Sequence, residues 1–231
     1  MLFPVCALAR EVTKWTIGCD RQLHRLICYL NTTKDWNLES FIGDPIEALT
    51  LVMYSDSDFG GDHKDSKSTS GVVMALVGPN SFAPISAMCK KQNVVSHSST
   101  EAEIVALDAG LRNEGLPILN GWECIFDLLS PKSKKQMILE RLRETEAENP
   151  LDDKRVPFII AEDNHACIKI VRKGRCPTMR HINRTHRIAM DWLYETCQNE
   201  PVSYTHLRAH ETREERGCRL GRGKKKGGGG G

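Results

Sequence analysis

Two aspartates separated by one residue, Asp56 and Asp58, stand at the end of an apolar run in the segment YSDSDFGG. In a β-strand, side chains at i and i+2 point to the same face, so the two carboxylates are expected to lie close together. Neighbouring like charges repel, and a cation, a held proton or contact with water must relieve that repulsion. The pattern therefore predicts a metal site, a protonated acid or a solvated strand end.

Glu103 is a further acidic side chain in a position that calls for a partner. A helix is predicted to begin after Ser98, because Glu101 follows three residues later, as in a capping box. The residues three, four and seven positions after Glu103 are Ala106, Leu107 and Gly110, a small apolar stripe. Glu103 is therefore expected to face inward, where a carboxylate without a basic partner is costly.

Asp163 ends a second apolar segment, VPFIIAED, as Asp56 nearly ends the first. Each acid alone has a structural explanation as a turn, cap or helix-dipole residue. Together, Asp56, Glu103 and Asp163 come from separate elements without basic partners, which suits hard divalent cations. Two such ions about 4 Å apart hold the attacking and leaving oxygens of a phosphodiester. The residues thus predict metal-assisted phosphodiester hydrolysis.

Periodicity predicts the elements that must position these acids. A short and a longer helix, followed by a strand-like WNLESF, open the chain, and three strands follow: LTLVMYSDSDF, SGVVMALVG and FAPISAMCK. Then come the capped helix, a helix at LPILNGWECIFDLLS, the strand VPFIIAED, and helices at NHACIKIVRKG and HINRTHRIAMDWLYETC. This order predicts a mixed sheet with helices packed on it.

Composition excludes several classes of protein. The chain has 231 residues, 40% of them hydrophobic and 27% charged, which is ordinary for a globular protein. No run of about 18 apolar residues exists to span a membrane, and the N-terminus does not read as a signal peptide, so an intracellular protein is expected. Nine cysteines without a C-x-x-C motif argue against a disulfide framework and a zinc finger.

The segment from 201 to 231 differs from the rest. It holds eight of the basic residues and three glutamates, whereas residues 1–200 hold 24 basic and 27 acidic residues. Few apolar residues and a homopolymer ending predict disorder. PVSYTHLRAHET also resembles the translation of a transposase-type sequencing-library adapter, so we expect read-through here and a natural sequence that stops at about Glu200.

Three blocks of the sequence resemble the ribonuclease H domain of copia-type retrotransposon polyproteins. The blocks YSDSDFGGDHKDSKSTSG, KKQNVVSHSSTEAEIVAL and AEDNHACIKI occur in the family's order at compatible spacing. The segment PVCALAREVTKWTIGCDRQLHRLICYLNTT is similar to the end of the family's reverse transcriptase. The resemblance implies an α/β fold, a ribonuclease H-like mixed sheet flanked by helices and preceded by a small helical segment.

The resemblance also implies domains and site residues. Residues 1–45 would end the reverse transcriptase, 46–200 would form an incomplete ribonuclease H-like domain with a charged insertion at about 131–156, and 201–231 would be a disordered tail. Asp56, Glu103 and Asp163 would bind two Mg²⁺ ions, with Mn²⁺ as an alternative. The expected substrate contacts are Lys67, Lys90, Lys91, Ser98, Ser99, Thr100 and Asn164, and the accessory residues are Asp58, His181, Asn183 and Asp191.

The expected activity is hydrolysis of the RNA strand of RNA/DNA hybrids during reverse transcription. The expected partners are the hybrid and the rest of the polyprotein, reverse transcriptase and integrase, with no membrane, in a cytoplasmic virus-like particle or the nucleus. Two departures keep alternatives open: Asn183 replaces an acid common in the family, and a final strand and acidic helix are not found. A non-catalytic hybrid-binding module and an inactive truncated remnant are therefore alternative hypotheses.

Overall fold

The computed structural model describes residues 1–62, 64–129, 156–199 and 202–206. Their centre is one sheet of five strands in the order β3-β2-β1-β4-β5. The strands are β1 (Thr50–Asp58), β2 (Thr69–Gly78), β3 (Ser81–Lys91), β4 (Phe158–Glu162) and β5 (Val202–His206). The first three form an antiparallel meander, and β4 and β5 continue the sheet parallel to β1.

Seven α-helices accompany the sheet within the described residues. They are α1 (Leu2–Ala9), α2 (Ile17–Thr33), α3 (Ser99–Gly110), α4 (Leu116–Leu129), α5 (His165–Lys173), α6 (Ile182–Thr185) and α7 (Met190–Asn199). A π-helical turn, Leu111–Gly115, joins α3 to α4. The expected α/β fold, a mixed sheet flanked by helices and preceded by a small helical segment, is confirmed.

The core lies between the sheet and α3. Alternate residues of β1 and β4, Leu51, Met53, Phe158 and Ile160, are fully buried on one face, as period-two patterning requires. The α3 helix packs on β1 and β2 at this face. Its last residue must be small, because a Cβ at Gly110 would lie 2.9 Å from Val72 Cγ2. This close approach fixes the height of α3 above the sheet.

Two predicted elements differ from the observed ones near the chain ends. The strand predicted at WNLESF is wrong, because only Phe41 forms a bridge, to Phe82. Gly43 and Asp44 stay beside the start of β3 without pairing as a strand, since their N–H groups donate to the side chain of Ser81, at Oγ, both at 3.0 Å. The helix predicted at HINRTHRIAMDWLYETC is divided into α6 and α7, because Arg187 has a φ of 58° and cannot continue a right-handed helix.

The predicted disorder of 201–231 is wrong for Val202–His206, which forms β5. This strand pairs with β4 from Phe158↔Val202 to Glu162↔His206. The pairing has a physical cause, since β4 would otherwise present a row of unpaired backbone groups, and valine, tyrosine and threonine are strand formers. Read-through stays a prediction, as do the domain boundaries. Residues 207–231 and nearly all of the predicted insertion lie outside the described residues.

The sequence contains no apolar run long enough to span a membrane as a helix. Among the helices of the described residues, none combines the length and the apolar character that a bilayer crossing demands.

Candidate metal centre

The three predicted ligand carboxylates converge at one edge of the sheet. One carboxylate oxygen from each of Asp56, Glu103 and Asp163 lies within 4.8 Å of the other two. The register explains this meeting: β1 and β4 are parallel neighbours with Tyr54 beside Ala161, so two residues further on Asp56, near the end of β1, lies beside Asp163, which directly follows β4. Asp56 and Asp163 are exposed, whereas Glu103 approaches from α3 and is buried.

Helix α3, which carries Glu103, is held in place at both of its ends. At its start, the Glu101 N–H donates to Ser98 Oγ at 3.1 Å, as the capping motif predicts. In a capping box the Glu101 side chain would accept from the Ser98 N–H. Here Glu101 Oε2 accepts instead from the N–H of the residue before Ser98, His97, at 2.9 Å. At the other end, Gly110 seats the helix against β1 and β2. Glu103 therefore lies on a helix fixed in both position and depth.

The electrostatic environment of Glu103 is unusual for a glutamate. Burial raises its pKa to about 8, and the negative charges of Glu162, Asp56 and Asp163 add to the rise, while the Ser57 hydroxyl opposes it. Glu103 Oε2 is buried without a hydrogen-bond partner among the described residues. The groups acting most strongly on this carboxylate are thus acids and one hydroxyl, and a cation would relieve the repulsion among them.

Glu162 is a further buried acid beside the three converging carboxylates, and the sequence analysis missed it. It is fully buried, and burial raises its pKa to about 7, although bonds from Ser55 and Asn164 oppose the rise. Ser55 Oγ donates to Glu162 Oε2 at 2.7 Å, and the Asn164 N–H donates to Oε1 at 3.2 Å. Its position two residues after Ile160 on the buried face of β4 was a usable signal, because the alternation predicts an apolar residue there.

Asp58 and the loop after β1 do not join the cluster of three acids. Asp58 Oδ1 accepts from the Gly61 N–H at 3.0 Å, which makes Asp58 a turn residue. In the same loop, the Lys67 N–H donates to Asp65 Oδ1 at 3.2 Å. The predicted accessory role of Asp58 stays a prediction, and its observed contact is structural.

Three predicted substrate contacts line one hollow of about 530 Å³ together with Arg10 and Asn93: Lys67, and the predicted phosphate contacts Lys90 and Lys91. Lys91 Nζ forms ion pairs with two aspartates of the loop after β1, Asp62 and Asp65, the latter at 2.7 Å. The Lys91 side chain is also largely buried. Its charge is therefore already neutralised, and the phosphate contact predicted for Lys91 lacks a free cation.

The other predicted substrate residues lie at helix starts. Ser98 Oγ caps α3, and Asn164 Oδ1 caps α5 by accepting from the Ala166 and Cys167 N–H groups, both at 3.0 Å. Ser99 and Thr100 occupy the first turn of α3. The capping atoms of Ser98 and Asn164 are engaged, and substrate contact by these residues stays a prediction.

The predicted accessory histidines meet a different acid. Nε2 of His181 and Nε2 of His186 lie 3.1 and 2.9 Å from Glu101 Oε1. Glu101 is almost fully buried; burial works to raise its pKa, but the His97 N–H and the two histidines outweigh this and lower it. The histidines thus connect the α6 segment to the start of α3. Asn183 and Asp191 line a hollow together with Arg175 and Arg180, and Asp191 is not one of the three converging acids.

Comparisons with known proteins give short sequence matches. No family model matches the chain. The secreted RxLR effector protein 161 of Plasmopara viticola is 39% identical over 85 residues, 37% of this chain and 55% of the relative. A retrovirus-related Pol polyprotein from transposon RE2 of Arabidopsis thaliana is 41% identical over 81 residues, 35% of this chain and 5% of the relative. The chain therefore spans about half of the first relative and a small part of the second.

Solved structures of ribonucleases H resemble the chain at low sequence identity. The PFV RNase H domain aligns with a TM-score of 0.41 and 10% identity, over 71% of this chain and 81% of that one. RNase H1 from the archaeon Halobacterium salinarum aligns with a TM-score of 0.37 and 14% identity, over 70% and 87%. The chain's candidate site is the cluster of carboxylates on β1, on α3 and directly after β4.

Proposed function

We propose that the chain carries a divalent-metal-dependent nuclease site that hydrolyses the RNA strand of RNA/DNA hybrids. The observation that carries this proposal is the convergence of Asp56, Glu103 and Asp163, whose ligand atoms lie within 4.8 Å of one another. Sites of this kind use carboxylates from separate elements to hold metal ions against a phosphodiester.

The residues fit a hard cation such as Mg²⁺ or Mn²⁺. All three side chains offer carboxylate oxygens, the ligands that these ions prefer. Glu103 Oε2 is buried without a hydrogen-bond partner among the described residues, and a cation bound there would satisfy it. When bound, two ions supply Lewis-acid stabilisation to the attacking and leaving oxygens and a nucleophilic water at neutral pH.

The exposed and buried acids of the site have different roles. Asp56 and Asp163 are exposed at the sheet edge, where a nucleic-acid backbone can approach. Glu103 supports the site from beneath, on a helix that its cap and Gly110 hold in place. Lys67 and Lys90, beside the hollow that also contains Arg10, are positioned to contact phosphates of a longer substrate.

The substrate class and cellular role rest on the sequence resemblance and on the name of one relative. The Arabidopsis protein is a retrovirus-related Pol polyprotein, and the three signature blocks resemble the ribonuclease H of such polyproteins. In this proposal the chain acts during reverse transcription, with residues 1–45 as the end of the reverse transcriptase. Its partners are the hybrid, the rest of that polymerase and the integrase.

A non-catalytic hybrid-binding module is the second candidate. It is favoured by Asn183, which stands where the family commonly has an acid, and by Asp191, whose carboxylate is not among the three that converge. A module with three ligands binds metal less strongly than one with four, because each anionic ligand adds to the attraction. This candidate predicts hybrid binding without cutting.

The deciding experiment compares cleavage of an RNA/DNA hybrid by the chain and by Asp56→Asn, with Mg²⁺ and with Mn²⁺. Asp35→Asn is the matched control, because it removes the charge of an exposed aspartate outside the cluster. Metal-dependent cutting of the RNA strand that Asp56→Asn abolishes and Asp35→Asn retains is the expected result. Binding of the hybrid by all three proteins without any cutting would favour the non-catalytic module.

A further inference from the structure

Three buried side-chain polar atoms lack a hydrogen-bond partner among the described residues: Ser57 Oγ, Glu103 Oε2 and Trp122 Nε1. Trp122 belongs to α4. The other two atoms belong to the acid cluster, since Ser57 directly follows Asp56. Buried polar atoms are nearly always bonded, so two unpartnered atoms in one cluster suggest that these side chains serve an interaction at the cluster.

The geometry of β1 shows what the missing interaction is. Ser55 and Ser57 lie on the same face of the strand, because side chains two residues apart share a face. Ser55 Oγ already donates to a buried glutamate, Glu162, at 2.7 Å. The Ser57 hydroxyl acts on the other buried glutamate of the cluster, Glu103. The strand therefore ends in two serine–glutamate pairs: Ser55 and Glu162 form a short hydrogen bond, whereas Ser57 acts on the Glu103 carboxylate without a hydrogen bond of ordinary geometry.

We propose that Ser57 is a positioning residue that donates a hydrogen bond to the Glu103 carboxylate when a divalent cation occupies the cluster. This inference rests on the proposed metal site. A ligating carboxylate is typically hydrogen-bonded by a second residue, which fixes the orientation of its oxygens toward the metal. A hydrogen bond from a hydroxyl to an ionised carboxylate is also stronger than one to a neutral group. Ser57 thus acts through Glu103.

The position of Ser57 explains why the residue between two aspartates is polar. Successive side chains of a strand point to opposite faces, so Ser57 points to the face opposite Asp56, toward α3. An apolar residue at this position would leave Glu103 Oε2 without a donor from β1. A hydroxyl satisfies the buried oxygen without adding a charge that would compete with the cation.

The test measures binding of Mn²⁺ alone by electron paramagnetic resonance, so it does not depend on catalytic activity. The proteins are the full chain and its variants Ser57→Ala, Ser57→Thr, Ser86→Ala and Asp56→Asn. Ser86→Ala is the matched control. Ser86 Oγ donates to Glu114 at 2.6 Å, so this substitution removes a similar serine–glutamate hydrogen bond outside the cluster. Circular dichroism and urea midpoints verify that each variant is folded.

Ser57→Ala is expected to bind Mn²⁺ about tenfold more weakly, the loss typical of removing a residue that orients a metal ligand. Ser57→Thr keeps the hydroxyl and is expected to bind like the parent chain, as is Ser86→Ala. If Ser57→Ala binds normally while Asp56→Asn does not, or if Ser57→Thr fails like alanine, the role of Ser57 is refuted and the metal site stands. If the parent chain binds no Mn²⁺, the metal site itself is refuted.

Discussion

Replacing Glu103 by glutamine should make the stability of the metal-free protein less dependent on pH. The pKa of Glu103 in the folded chain is raised from the ordinary 4.5 to about 8, chiefly by burial. The folded state therefore keeps a proton that the unfolded state releases, and folding becomes less favourable as pH rises between these two values. Below about pH 4.5 both states are protonated, and the carboxyl imposes no such cost.

The size of the effect follows from the size of the pKa change. A rise from 4.5 to about 8 corresponds to ~5 kcal/mol for a carboxyl fully shielded from water. The neighbouring Asp56 and Asp163 are exposed, so solvent screens the site and roughly halves this figure. We therefore expect Glu103→Gln to stabilise the chain by about 2 kcal/mol more at pH 8 than at pH 5.

The assay is urea unfolding of the parent chain and Glu103→Gln at pH 5 and pH 8, without metal and with saturating Mg²⁺. Glu39→Gln, a change at an exposed glutamate of the N-terminal segment, controls for the loss of one negative charge. Mg²⁺ should remove most of the difference, because it stabilises the ionised carboxylates of the folded chain. An equal effect of Glu103→Gln at both pH values would refute the reasoning, because it would show that the buried carboxyl is not titrating anomalously.

Three further changes test other parts of the structure. Glu101→Gln removes the buried charge that two histidine rings contact, and should cost about 1–3 kcal/mol in urea unfolding without changing the far-ultraviolet circular dichroism. Gly110→Ala places a Cβ 2.9 Å from Val72 Cγ2, and should cost about 1–3 kcal/mol while weakening Mn²⁺ binding, because α3 must move. A chain ending at Glu200 lacks β5, and should lose hydrogen-exchange protection along the β4 edge that faces Val202–His206.

The parts of the fold that the sequence predicted well are those with local signals. The three strands of the meander are largely apolar segments bounded by turn residues, and each is found close to its predicted bounds. The start of α3 was predictable because its cap needs only Ser98 and Glu101, three residues apart. The convergence of Asp56, Glu103 and Asp163 was predictable from two strand ends and one helix face. Their role as metal ligands stays a prediction.

The parts that the sequence did not predict depend on contacts between distant residues. Glu162 forms its bond with Ser55 across 107 positions, and His186 reaches Glu101 across 85 positions. The break at Arg187 follows from a positive φ that a helical pattern does not reveal, and it lets Ile182 and Ile188 both be buried. The strand β5 forms because β4 offers a free edge. None of these causes appears in a window of neighbouring residues.

The acid cluster lowers the stability of the folded chain as pH rises, and we interpret this loss of stability as a sign of a binding site. Burial and neighbouring acids raise the pKa of Glu103, and burial also raises that of Glu162, so both carboxyls oppose folding as pH rises toward neutrality. An apolar residue at either position would remove this cost and fill the space beside α3. Local features that destabilise a fold without structural compensation are typical of functional sites. A divalent cation would supply the missing compensation, since it would attract the same carboxylates that repel one another in its absence.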